Sequence, residues 1–311
     1  MIRSDQLTNV LLAMIVVLLA YATLGPAVLR LVARADSQPR VAERTLAEWQ
    51  EQLRDLAPSV RKNAVDALGY FGARALPTLS DTLKTDVSAD VRIAAASSIG
   101  NMGAVAVAVT PALIEASQHA EGRMRGAAVA ALGKVGGAGK DVVATLARAA
   151  ADIDSVVRLA AIQALGEVRP VAPEAVTALV DAAGSPDART RLTTASALGK
   201  MGRQGGDVLG PLTRLANDPE PGVRAIALQA VGELGAAAAA AVPALVDGLK
   251  SSNPSVQQAA IRAAGNVGAS ATPAVPVLKN IAASDSTGAL RSLALEALGK
   301  IEGRAGPSAS R

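Results

Sequence analysis

Seven arginines recur in one phase along the chain, Arg61, Arg92, Arg125, Arg158, Arg191, Arg224 and Arg291, with Gln257 in the remaining position. Guanidinium groups at fixed spacing can do two kinds of chemistry. They can grip carboxylates of the protein itself in forked pairs, or they can bind the carboxylates and phosphates of a partner. Six positions before each arginine stand Asp55, Asp86, Asp152, Asp218 and Asp285, while His119, Ser185 and Ser251 replace the acid at the other sites. An internal Arg–Asp ladder that holds register is the first reading of this pattern. A partner surface is the second.

Other reactive constellations are sparse. His119 is the only histidine and there is no cysteine, so thiolate nucleophiles, disulfides, zinc–thiolate centres and His-based metal clusters are excluded. His119 stands where other copies of the motif carry Asp, which makes it a turn residue before a catalyst. No G-x-S-x-G elbow accompanies it. The glycine-rich run from Gly133 to Gly139, GKVGGAG, lacks the spacing and the following Lys-Ser or Lys-Thr of a phosphate-binding loop, and reads as a turn between helices. No catalytic, cofactor-binding or metal-binding residue is therefore expected, and no small-molecule substrate. Nor is a His-Glu pair present, which excludes a deoxyhypusine-hydroxylase type of di-iron site.

Nucleic acid is a weaker alternative. The formal charge is only +4 and basic residues alternate with acidic ones rather than forming blocks. Stacking groups are nearly absent, because Tyr21, Trp49, Tyr70 and Phe71 are the only aromatics. Three of these, Trp49, Tyr70 and Phe71, fall close together at the start of the regular region. Bulky groups there can close off the end of a stack, or they can form a docking patch for a partner.

The elements that carry these residues follow from periodicity. A small or apolar residue followed by Gly recurs at Gly69, Gly100, Gly133, Gly166, Gly199, Gly232, Gly265 and Gly299, in steps of 31, 33, 33, 33, 33, 33 and 34. The arginines keep this phase. So do Leu113, Leu146, Leu179, Leu212, Leu245 and Leu278. In the sixth unit, Asp218-Pro219 opens a turn and a helix carrying Ala227, Ala230 and Val231 on one face follows. Gly232 and Gly235 are expected to end that helix tightly, and Val242-Pro243 to open a second one. Each unit is thus a helix–turn–helix hairpin that must stack on its neighbours to bury its apolar face.

The pattern D-x-x-x-x-V-R-x-x-A-x-x-A-L-G-x-h-G, nearly intact from Asp152 to Gly166, resembles the HEAT repeat in its short bacterial form, a variety also seen in proteins similar to phycobilisome lyases. The resemblance covers residues 46–303. It implies an all-α fold, an α-solenoid of about eight hairpins, and an Arg–Asp ladder between adjacent units.

Ahead of the repeats, residues 10–32 are expected to form one transmembrane helix, since Val10 to Leu29 carries no charge and is long enough to span. A short tail (1–9) precedes it, a linker (33–45) follows, and 304–311 form a disordered tail. Arg30, Arg34, Arg40 and Arg44 against Arg3 place the repeats on the cytoplasmic side of a single-pass membrane protein, with an exported or periplasmic location as the alternative. Taken together, the sequence points to a membrane-tethered scaffold that binds protein partners and is not an enzyme. A lyase-like accessory protein and a nucleic-acid-binding solenoid are the alternatives.

Overall fold

The computed structural model describes residues 40–137, 139–284 and 288–303. The expected membrane helix, both tails and most of the linker lie outside them. Among the described residues no helix is long and apolar enough to cross a membrane.

Helix follows helix throughout. A lead-in helix α1 (Leu46–Gln52) is followed by the first helices of the eight units, which are α2 (Pro58–Leu68), α4 (Ala89–Asn101), α6 (Gly122–Val135), α8 (Ser155–Glu167), α10 (Ala188–Gly202), α12 (Pro221–Glu233), α14 (Pro254–Val267) and α16 (Ala289–Ile301). Between them come the second helices α3 (Leu76–Thr85), α5 (Thr110–Ala116), α7 (Lys140–Ala149), α9 (Pro173–Ala182), α11 (Leu209–Leu215), α13 (Val242–Leu249) and α15 (Val275–Ser284). No strand forms among the described residues; Val41 and Arg44 make one isolated bridge. The eighth unit is thus a single helix, and α1 stands at the other end of the row.

Local chemistry explains where helices start. Pro58, Pro173, Pro221 and Pro254 occupy first turns, where a missing N–H has no intrahelical partner to lose. Asp154, Asp187 and Asn253 cap the helices that follow them with side-chain oxygens. Thr45 and Glu48 close α1 reciprocally as a capping box. Leu113, Leu146, Leu179, Leu212, Leu245 and Leu278, one in each second helix from α5 to α15, are all buried and form part of a single apolar core running the length of the stack.

Gly235 turns the chain as expected and Gly69 caps α2, but the other repeated glycines, Gly232 among them, do not end their helices. Gly100, Gly133, Gly166, Gly199, Gly232 and Gly265 lie inside their helices and face the next first helix at very short range. A methyl group on Gly100 would come 2.8 Å from the Cα of Ala131, on Gly166 2.9 Å from that of Ala197, and on Gly232 2.7 Å from that of Ala263. The tight turning is done by other glycines three residues on: Gly72, Gly103, Gly136, Gly235 and Gly268 have φ of 59, 59, 76, 59 and 72°. Successive first helices therefore lie along one another, whereas successive second helices touch far less. The stack curls with the first helices on its inner side.

A paired substitution separates the two kinds of glycine. Gly232→Ala improves helix propensity yet forces a methyl into the Ala263 backbone, so it should destabilise by about 2 kcal/mol through overpacking. Gly126→Ala, inside α6 where the added carbon meets only side-chain methyls of Val156 and Val157 at 3.6 and 3.8 Å, should stabilise by about 0.5 kcal/mol. Urea unfolding of both variants checks this, and a stabilised Gly232→Ala would refute the packing role.

Candidate functional site

Two surfaces carry the polar residues: the edge formed by the turns between units, and the inner face of the first helices. The ladder lies on the turn edge. Arg61 donates from Nε and Nη2 to Asp86 at 2.7 and 2.8 Å, Arg125 to Asp152 at 2.9 and 2.8 Å, and Arg191 to Asp218 at 2.7 and 2.9 Å. Each pair joins one unit to the next. In all three, Nη1 also donates to backbone carbonyls of the arginine's own turn, for example Asp55 and Leu56 for Arg61. These guanidinium groups are locked in place from both sides.

The alternate arginines differ. Arg92 and Arg224 keep the Nη1 bonds, to the carbonyl of Asp86 and to those of Asp218 and Pro219, but the acid positions facing them hold His119 and Ser251. Arg158, facing Ser185, is diverted to Thr190 Oγ1 at 3.1 Å and Asp187 at 3.5 Å. A cavity of about 470 Å³ opens beside it, lined by Arg158, Glu174, Asp181, Ser185 and Thr190 among others. In the last rung Gln257 Nε2 donates to the Leu249 carbonyl, Arg291 Nε donates to that of Ala282, and Asp285 lies outside the described residues.

The acid position has a second job that every occupant performs. Asp86, Asp152 and Asp218 accept the amide of the residue two further on, and so do Ser185, Ser251 and the Nδ1 of His119. The turn survives any of the three residue types. Only Asp adds the rung. His119 is accordingly an exposed turn residue. The tips of these turns carry nearly naked apolar side chains: Leu56, Val87 and Ile153 are 97, 89 and 95% exposed.

On the inner face, shallow troughs run across the first helices. One of about 690 Å³ crosses α6, α8 and α10 on a floor of Ala130, Ala160, Ala164 and Ala197. Gln163, Ser196 and the exposed Leu192 border it. Two more, of about 430 and 300 Å³, continue over α12, α14 and α16 and share Arg262 and Asn266. The charge row just after the repeated glycines rims this face. Lys134 donates to Asn101, Lys200 pairs with Glu167, Arg203 with Glu233, and Lys300 with Glu296.

The three clustered aromatics separate. Trp49 and Phe71 are half-buried against the core, with Trp49 Nε1 donating to the Val41 carbonyl and Arg44 stacked 4.9 Å from its ring. Tyr70 alone faces solvent, at 81% exposed. Two of the three thus pack onto the core at the start of the row, and the third points outward. Among the described residues no group of three or more His, Asp or Glu is placed to hold a metal ion.

Electrostatics makes the ladder sensitive to acid. The hydrogen bonds from Arg61, Arg125 and Arg191 hold the carboxyls of Asp86, Asp152 and Asp218 below the usual range, outweighing the upward push of burial. Such lowered groups stabilise the fold fully above the unfolded carboxylate value, about 3.9, and lose that contribution as pH falls through their folded values. Asp152→Asn should cost about 2 kcal/mol at pH 7, the scale of hydrogen bonds to charged groups. The deficit should shrink as wild type and variant are compared at pH values falling below 4. Thermal unfolding across pH measures it, and a deficit that persists unchanged in acid would rule out the charged rung.

No curated protein matches the sequence. Among solved structures, the Escherichia coli protein YibA is 18% identical with a TM-score of 0.59, covering 85% of this chain and 99% of its own. An engineered protein is 19% identical with a TM-score of 0.53, covering 82% and 78%. At such identity the likeness is one of fold. The pattern of the HEAT repeats family matches residues 46–133, 107–166, 154–213, 177–242 and 208–299. With its hairpins stacked through one core and its repeat pattern matched from residue 46 to 299, the chain belongs to the HEAT repeat family.

Proposed function

We propose that this protein is a membrane-tethered scaffold that binds a protein partner along the inner face of its first helices and performs no catalysis of its own. The observation that carries this reading is the run of troughs over α6 to α16. They have alanine floors and amide and hydroxyl walls, and on their rims Lys200, Arg203 and Lys300 are paired with acids, while Lys134 meets an amide and Arg262 makes no ion pair among the described residues. A surface of that kind offers length and shape in place of a reactive group, which suits recognition of an extended or helical protein segment. With Lys200 and Arg203 paired to Glu167 and Glu233, only Lys134 and Arg262 remain as cations without an acid along the troughs, too few to track a polyanion backbone. The uncharged run from Val10 to Leu29 supports a tether, which would raise the effective concentration of the scaffold for partners in the same bilayer.

Photo-crosslinkers at Gln163, Ser196 and Gln229 test the inner face against Ala144 and Ala283 on the second helices. Reproducible crosslinks in membranes are expected from the first set alone. Equal yields from both sets would overturn the assignment of the face. Removal of residues 1–35 should release the repeat domain from alkali-washed membranes, and retention there would refute the tether.

A further inference from the structure

The alternating ladder leaves two guanidinium forks open. Arg92 and Arg224 each donate Nη1 to carbonyls of their own turn, as the paired arginines do, and their Nε and Nη2 meet no acceptor among the described residues. What such a fork accepts is shown three times in the same protein, where Asp86, Asp152 and Asp218 each receive it at 2.7 to 2.9 Å. The neighbouring acids do not cancel the open forks. Asp86 and Asp218, which open the same turns, are already clamped by Arg61 and Arg191, and Asp90 is taken by Arg123 at 3.0 Å. Glu220, at the start of α12, acts on Arg191, and Glu121, in the matching place before α6, lies 4.0 Å from Arg123.

From these observations we infer that Arg92 and Arg224 are docking points for carboxylate side chains of an acidic protein segment, which supply from outside the rung that His119 and Ser251 omit. The turn tip beside each fork is apolar, Val87 at one and Pro219 at the other, with Val87 89% exposed. The segment that fits therefore places an apolar residue beside its Asp or Glu. A guanidinium fork takes carboxylate and phosphate alike; the carboxylate is the partner assigned here because it is the one that fills all three closed rungs of the same ladder. The Arg158 slot is a poorer site, because Thr190 and Asp187 occupy its fork and Glu174 and Asp181 line its cavity. This docking edge is separate from the inner face, so its existence does not depend on the trough reading and each can fail alone.

The test uses the full chain and poly-L-glutamate as the acidic chain. The variant His119→Asp/Ser251→Asp fills both forks internally. It should bind poly-L-glutamate at least tenfold more weakly than wild type and unfold at a higher temperature without ligand. The variant Ala144→Asp/Ala283→Asp adds the same charge on exposed positions of the second helices and should keep binding within about twofold. Loss of binding to the same extent in both variants would reduce the effect to net charge and overturn the proposal. So would unchanged binding in the first variant, or a DNA duplex that binds more tightly than poly-L-glutamate and is lost with the forks. Arg92→Lys/Arg224→Lys keeps the charge and loses the fork, and should bind as weakly as the filled variant; wild-type affinity there would also overturn it.

Discussion

The close approach of glycine to alanine between successive first helices governs the rest of the molecule. At Gly100, Gly166 and Gly232 there is no room for even a methyl group against the next helix. Backbones held that near fix the separation and the crossing of each first-helix pair, and the second helices, which lack such contacts, are left to spread. Curvature, the inner face and the alanine-floored troughs all follow from this one spacing. Leucine in place of either partner would push the helices apart and flatten the surface at that point. The first contact of the row is looser, since Gly69 meets Ser98 at 3.5 Å where the others meet alanine. Ser98 uses its hydroxyl to reach the Val65 carbonyl across the same interface.

The ladder is a second layer laid over that packing. A carboxylate at the start of each unit can cap its own turn and grip the previous unit's arginine at once. Serine and histidine can do only the first. The protein uses the distinction in strict alternation, with Asp at 86, 152 and 218 and His or Ser at 119, 185 and 251. Because the apolar stacking passes through every interface, the absence of a rung leaves the fold intact. The guanidinium remains oriented by its own turn carbonyls, so a missing acid leaves a preformed donor pair and not a loose side chain.

Much of this was legible in the residue order, and what was not has a physical reason. The three series in phase specify hairpins, their length and their number, because a 33-residue period with helical spacing inside it has few other solutions. The leucines of the second helices are buried as that pattern requires. The meaning of the glycines was not legible. A glycine near a helix end serves equally to terminate the helix or to admit a neighbour, and both series occur here three residues apart. The signal that separates them is the alanine two positions before each repeated glycine, as in Ala131-Leu132-Gly133, which packs against the glycine of the preceding unit. Likewise, the tally of acids before the arginines showed an incomplete ladder but not the forks it leaves, since that depends on Nη1 being held by carbonyls that no side-chain pattern encodes.

The two polar surfaces differ in how their charges are spent, and that difference is what divides their roles. Along the inner face, Lys200, Arg203 and Lys300 answer Glu167, Glu233 and Glu296, which leaves Lys134 and Arg262 as the cations without an acid among the described residues there, so recognition rests chiefly on shape and apolar contact. Along the turn edge, Arg61, Asp86 and Arg92, and likewise Arg191, Asp218 and Arg224, set two arginines against one aspartate, which leaves a positive charge beside an apolar tip in the second and sixth units; between them Arg158 is met by Asp187. A partner engaged through the inner face alone would be held by complementarity but oriented weakly, because alanine floors repeat from unit to unit and favour no single register. Open charges four units apart break that degeneracy. The coarser spacing on the edge can thus set register for contacts whose own period is too fine to do so.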